Sequence, residues 1–319
     1  MSSIMQSAFL AGILLVQNAA AHGWVQGILA EGKYYPGQSH WSTDVSPGWK
    51  ADNGDTGFAT SLTDQNIICH NNAVPGTIYV AVNAGSKIEL QWNTWPDSHK
   101  GPMLDYLAPC GDDCTTVDKT GLQFTKIEES GLIDGTSNPQ HWASDDLIAN
   151  NFTWVTTIPA EIAPGKYVLR HETIALHSAG TEGGAQAYPQ CINLEISGSG
   201  TNSLSSGTLG TKLYTPTDPG ILINIYRTLT SYQIPGPSVM AGGSSGSSSA
   251  SATASTSVSA TRPVSTSSKS VAVSATPTSK INAVSSTSTA APTTNGSSGS
   301  TPTASATIGG RKFICYEEF

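Results

Sequence analysis

The chain has 319 residues, of which 38% are hydrophobic and only 12% charged, with 15 basic against 23 acidic side chains and a net charge of −8. Half of residues 241–310 are Ser or Thr, with no aromatic or acidic side chain among them, so that stretch cannot bury enough apolar surface to offset the entropy of ordering. Foldable chain is therefore expected over residues 22–240, and its acidic balance excludes a nucleic-acid partner, since no basic patch could supply the phosphate contacts.

Residues 1–21 carry an apolar run from Ala8 to Val16 followed by Asn18-Ala19-Ala20-Ala21, the pattern of a secretory signal peptide, although the usual positive charge at its start is missing. The run is too short to span a bilayer, and no later stretch reaches the roughly 20 apolar residues of a membrane helix. A secreted, extracellular protein with no membrane partner is expected. Cleavage after Ala21 places Ala19 and Ala21 at the two small-residue positions, so the mature chain would begin at His22. An N-terminal His can chelate one metal ion through its amine and its ring. The α-amino group, with a pKa of about 7.7 to 8.0, loses its proton at little cost near neutral pH. One further imidazole would complete an approximately planar set of three nitrogens, which suits Cu(II). Alone, a His at this position is an accident of the cleavage site, and the metal assignment needs a second ligand.

Six short segments follow that are rich in Val, Ile, Thr and aromatics and are bounded by Gly or Pro turns. They are Val25 to Leu29, Thr77 to Val82, Lys87 to Trp92, Asn151 to Ile158, Lys166 to Ile174 and Gln190 to Ile196. The segment from Ala143 to Asn150 is expected as a short helix. This spacing predicts an all-β, antiparallel β-sandwich. Asn151-Phe-Thr153 is an N-glycosylation acceptor and fits a secreted surface. Asp145-Asp146 and Glu128-Glu129 are expected as solvated surface charge, because neighbours on a strand or turn diverge and do not flank one bond.

Four of the five cysteines, Cys69, Cys110, Cys114 and Cys191, lie within residues 22–240, and in a secreted chain that even set favours two disulfides. A zinc site at Cys110-Gly-Asp-Asp-Cys114 would lack a second ligand pair nearby. If Cys110 pairs with Cys114, Cys69 is left for Cys191, closing a loop worth roughly 4 to 5 kcal/mol in the chain-entropy account. The other pairings remain open on the sequence. Among the histidines, His99 in Trp95-Pro-Asp-Ser-His-Lys-Gly-Pro102 sits in a loop-like stretch after a strand, where a scaffold can present a ligand. Residues 241–307 are expected as a disordered Ser/Thr-rich linker, and residues 308–319, with Cys315, as a remnant too short for a core or for an internal staple.

Taken together, several motifs resemble the fungal lytic polysaccharide monooxygenases of auxiliary activity family nine, formerly glycoside hydrolase family sixty-one. They are His22-Gly-Trp, Asp64-Gln-Asn-Ile-Ile-Cys-His70, the His99 segment, Asp105-Tyr-Leu-Ala-Pro-Cys110 and Tyr167-Val-Leu-Arg-His-Glu172. Ala175-Leu-His177, Gly184-Ala-Gln-Ala-Tyr-Pro-Gln-Cys191, Asp218-Pro-Gly-Ile-Leu-Ile-Asn-Ile-Tyr226 and Ile234-Pro-Gly-Pro237 complete the set. The resemblance spans residues 22–240. It implies an immunoglobulin/fibronectin-like sandwich with long loops, and the disulfides Cys69 with Cys191 and Cys110 with Cys114. It also implies one copper ion per chain held by His22 and His99, with Tyr188 axial and with His177 and Gln186 as catalytic residues around it. Tyr232, in Ser231-Tyr-Gln-Ile-Pro-Gly236, resembles the tyrosine of the flat substrate platform. Tyr34, Tyr35, Trp41 and Trp49 are divided between that face and the core. His40, His70, His141 and His171 are expected to be structural.

The activity implied is oxidative cleavage of cellulose by a monomeric enzyme. An external donor, either a small reductant or a redox protein, supplies electrons, oxygen or peroxide is the oxidant, and a glucose is hydroxylated at carbon 1 or carbon 4. Elimination then breaks the glycosidic bond. No pair of carboxylates is needed, in contrast to a hydrolase. The alternative of a different class is a secreted β-sandwich that binds carbohydrate or copper without catalysis. The fuller family pattern carries a binding module after its linker, whereas residues 308–319 are too few to form one.

Overall fold

The computed structural model describes residues 23–38, 45–54, 57–59 and 61–246, together with the backbone of 307–308 and 311–312. Residues 1–21, where a signal peptide is expected, and His22, His40, Trp41 and most of the tail lie outside the described residues. In chain order the strands are β1 (Val25–Ala30), β2 (Lys33–Pro36), β3 (Val80–Asn83), β4 (Lys87–Trp92), β5 (Met103–Pro109), β6 (Gln123–Ser130), β7 (Leu132–Asp134) and β8 (His141–Trp142). They continue with β9 (Thr153–Thr157), β10 (Gly165–Ala175), β11 (Gln186–Ser197), β12 (Thr208–Leu209) and β13 (Ser244–Gly246). Two short helices interrupt them, α1 (Asn66–Cys69) and α2 (Ala143–Ala149). Among the described residues no helix is long and apolar enough to cross a membrane.

The strands form a sandwich of two sheets. One runs in the order β2-β1-β4-β9 and the other in the order β12-β6-β5-β10-β11-β3, with β13 added beside β6. Pairing is antiparallel except at β11·β3 and β13·β6. Alternation explains the first sheet: in β4 the residues Ile88, Leu90 and Trp92 are buried, and Leu90 and Ile88 pair with Ile28 and Ala30 of β1. Each such aliphatic side chain contributes roughly 1.5 to 3 kcal/mol by leaving water.

The second sheet is covered on both faces at its centre, and β5, β10 and β11 therefore read as nearly continuous buried runs. In β10, Tyr167, Leu169 and Ala175 point to the core between the sheets, which α2 joins through Ala143 and Leu147, whereas Val168 and Ile174 point to a second core roofed by loops and α1. In β5, Met103 and Leu107 take the first side and Leu104, Tyr106 and Ala108 the second.

Strands β5 and β6 are absent from the six segments expected on composition, because each carries buried charge. Asp105 is fully buried and accepts bonds from His171 Nδ1 (2.7 Å), Trp154 Nε1 (3.0 Å) and Thr156 Oγ1 (2.9 Å). Lys126 is 1% exposed, donating to Glu129 Oε2 (2.7 Å) and to the carbonyl of Pro235 (2.8 Å). Partners of this kind offset part of the desolvation penalty that otherwise keeps charge out of a sheet. The expected solvation of two acidic pairs is corrected in the same way. Glu128 is partly buried and accepts from Thr157 N (3.1 Å), and burial and the charge of Asp105 push its pKa up to about 7. Asp145 pairs with Lys100, and Asp146 with His141 (2.6 Å).

Ordered chain also runs past residue 240. Ser244–Gly246 lies in parallel against Glu128–Ser130, with Gly246 O accepting from Gly131 N (3.3 Å) and Ser130 Oγ (2.8 Å). The edge of β6 offers unpaired backbone groups there, and the first linker residues satisfy them. In the separate unit formed by residues 255–319, Thr307–Ile308 pairs with Arg311–Lys312 as an antiparallel ladder.

Candidate metal centre

Two loops and one strand end bring the expected site residues together. His99 follows β4 in the loop leading to β5, His177 follows β10, and Gln186 and Tyr188 open β11. The β10·β11 register sets Tyr188 opposite Thr173 and Gln186 opposite Ala175, so the two side chains share a face. Pro189 is tolerated in this strand because it falls between isolated bridges at Ala187 and Ile192 and ahead of the β3 pairing that begins at Leu194, where no ladder calls for its N–H.

The His99 loop is held from several sides. Leu176 N donates to Lys100 O (2.8 Å), Gly101 N donates to Ser144 Oγ (3.0 Å), and Lys100 is clamped by Asp97 (2.9 Å) and Asp145. Gly101 is required by close approach, since a Cβ there would lie 1.8 Å from Ile174 O. Trp95 Nε1 donates to the carbonyl of His99 (3.0 Å), and the ring of His99 packs edge-on against Trp95 and lies 3.1 Å, Nδ1 to Oγ, from Ser98.

The rings of His99 and His177 face each other at 4.1 Å between centroids, tilted by 32°. The Nδ1 of His177 is buried without a hydrogen-bond partner among the described residues, and burial lowers the pKa of this ring, favouring neutral imidazole. Tyr188 is fully buried, edge-on to Trp95 (4.9 Å) and Phe58 (6.2 Å), and its hydroxyl donates to Gln186 Oε1 (2.9 Å). Burial holds its phenol above the ordinary tyrosine range, so it is a neutral oxygen donor. Two facing imidazoles beside a buried phenol form a nitrogen-and-oxygen donor set of the kind copper accepts, and an orphaned ring nitrogen marks room for an added group. The residues present therefore fit a copper ion, with His22 lying outside the described residues.

Tyr232 is a correction. It is 1% exposed, packs edge-on against Trp142 (4.9 Å), and donates its hydroxyl to Gly220 O (2.8 Å), which makes it a core residue and not part of a flat surface. The exposed tyrosine beside His177 is Tyr226, 79% accessible, with its hydroxyl donating to the carbonyl of His177 (2.9 Å). The sequence carried little to separate the two, because both stand in loops without strand alternation. Of the aromatics divided earlier between surface and core, Tyr34 is exposed, whereas Tyr35 and Trp49 are buried. His70 and His171 are buried structural residues; Asp105 on Nδ1 and the Trp92 indole (3.0 Å) on Nε2 fix the tautomer of His171.

Both disulfides form, Cys69 with Cys191 and Cys110 with Cys114, each with Cα atoms 5.2 Å apart. The first ties α1 to β11 beyond Tyr188. Asn151 is exposed in the turn between α2 and β9.

The profile of Auxiliary Activity family 9 (formerly GH61) matches residues 22–233. The chain is 53% identical over 251 residues to an AA9 family lytic polysaccharide monooxygenase A of Malbranchea cinnamomea, covering 76% of this chain and 75% of that one. It is likewise 53% identical over 229 residues to one of Thermoascus aurantiacus, covering 69% of this chain and all of that one. Among solved structures, the extended catalytic domain of H. jecorina LPMO9A superposes with a TM-score of 0.64 at 45% identity, covering 72% of this chain and 99% of that one.

Proposed function

This chain belongs to Auxiliary Activity family 9, whose members are oxidoreductases that cleave polysaccharides, and from that premise we propose that it is a copper-dependent monooxygenase acting on cellulose. The observation that carries the proposal is the pairing of His99 and His177 at 4.1 Å beside buried Tyr188. When bound, copper supplies the one-electron and oxygen chemistry, drawing on an external reductant and on oxygen or peroxide. The amine and ring of His22, the ring of His99 and the phenol of Tyr188 would hold it.

The other residues position and protonate. Gln186 Oε1 accepts the Tyr188 hydroxyl and keeps that phenol protonated and aimed. His177, neutral and short of a partner at Nδ1, can hydrogen-bond the oxidant or the substrate hydroxyl beside it. Tyr226, with its hydroxyl tied down, presents a ring face on which one glucose of a flat chain can stack. The reacting substrate is hydroxylated at carbon 1 or carbon 4, and elimination then breaks the glycosidic bond. We further propose that the protein is secreted and cleaved before His22.

Copper-loaded protein beginning at His22, incubated with cellulose and a reductant, should release oxidised oligosaccharides detectable by mass spectrometry. One extra residue ahead of His22 should abolish them by blocking the amine. Products undiminished by that extension would rule out the proposed ligand set.

A further inference from the structure

Ahead of Leu194, where β3 begins to pair with it, the outer edge of β11 is bridged by two loop residues instead of a strand. Gly48 bridges Ile192, and nearer the metal centre Ala59 bridges Ala187, its N–H donating to the Ala187 carbonyl (2.8 Å). Ala187 stands between Gln186 and Tyr188, so residues 57–59 are stapled to the part of the strand that carries the site. The staple sets Phe58, half-buried, edge-on to the Tyr188 ring (6.2 Å), which Trp95 also meets edge-on (4.9 Å).

The same segment is gripped by the two residues that follow α1. Asn71 Nδ2 donates to Phe58 O (3.1 Å), and the fully buried His70 ring lies with Nε2 3.1 Å from Gly57 O. His70 Nδ1 accepts from Asn71 N (2.8 Å), which leaves the ring proton on Nε2 to be donated to Gly57. The backbone of His70 is unusual: φ is 82° and ψ 174°, a region that glycine enters freely and a residue with a Cβ enters only under strain. Glycine would relieve that strain but lose both ring contacts. What the imidazole holds, residues 57 and 58, accounts for a histidine at this position.

We propose that His70 and Phe58 are positioning residues for the metal centre: His70 pins Gly57, and Phe58, thereby held, fixes the ring of Tyr188 and aims its phenol oxygen. The inference rests on the reading of that centre as a copper site. Phe58→Ala removes the wall, and His70→Gly removes the pin while suiting the backbone; His70→Asn, which tolerates positive φ but is too short to reach Gly57, serves where the glycine variant does not fold. Thermal unfolding establishes that each variant is folded. In metal-free mature protein carrying isotope-labelled tyrosine, flips of the Tyr188 ring, assigned through Tyr188→Phe and read by exchange between its paired ring signals, should quicken in both variants. Flips of Tyr167, buried at the far end of β10, should not change. In copper-loaded protein the Cu(II) hyperfine pattern in electron paramagnetic resonance should move in both variants, and oxidised product per bound copper should fall about tenfold or more. Unchanged Tyr188 flips or an unchanged hyperfine pattern in either variant overturns the proposal, as does equal quickening of Tyr167, which would mean general loosening. If the wild type binds no copper while Tyr188 alone quickens in the variants, the positioning of that ring stands and the copper reading falls.

Discussion

At Tyr226 the ring stands in solvent with its hydroxyl anchored on His177 O, whereas at Tyr232 the ring is packed against Trp142 and roofs Gly131, where a Cβ would come within 2.9 Å of it. The difference predicts opposite consequences for one substitution. Tyr226→Ala should cost no more than about 0.5 kcal/mol of stability, as an exposed change does, but weaken adsorption to cellulose about three- to tenfold through the lost stacking face. Tyr232→Ala should cost about 3 to 5 kcal/mol by opening a core cavity, with adsorption per folded molecule unchanged. Denaturant midpoints and binding isotherms on the same preparations decide between them; a reversed pattern would restore Tyr232 to the substrate face.

Strand β11 carries two of the proposed site residues at its start and Cys191 shortly after, so its register is a functional quantity. Eleven consecutive pairs with β10 set that register, and the Cys69–Cys191 bond anchors it to α1. Loop-closure entropy predicts that Cys69→Ser with Cys191→Ser costs about 4 to 5 kcal/mol, because the bond closes a loop of 122 residues, whereas removing Cys110–Cys114, separated by only 4, costs about 2. Freed from this anchor, Tyr188 should also wander, so copper affinity measured by competition titration should fall only in the first variant. An equal drop in both would show that the register is held by pairing alone.

Across the whole molecule, the buried charges set a pH dependence with two opposing parts. Burial lowers the pKa of His70 to about 4, so its folded form binds fewer protons than the unfolded chain; stability is complete above about 6.5 and is lost as pH falls toward 4. Glu128 works in the other direction. With its folded pKa raised to about 7 by burial and by Asp105, it costs nothing at pH 4 and destabilises the fold progressively as pH rises through 7. Glu128→Gln should therefore stabilise the protein by roughly 1 to 2 kcal/mol at pH 8 and leave it unchanged at pH 4. Unfolding curves at the two pH values test this, and an equal gain at both would mean that packing, not ionisation, is responsible.

The amino-acid sequence alone determined the β class and the Ser/Thr tract, because turn chemistry and composition are local properties of a chain, whereas His99, His177, Gln186 and Tyr188 were singled out together through motifs that resemble those of the family. Only the tertiary structure decided what lies inside. Strands β5 and β6 became legible once Asp105 and Lys126 had partners from β9, β10 and the segment at Pro235. The choice between Tyr226 and Tyr232 likewise waited for Trp142 and Gly220 to enclose one of them. Burial is a property of what packs against a residue, and for these residues the packing comes from segments far along the chain.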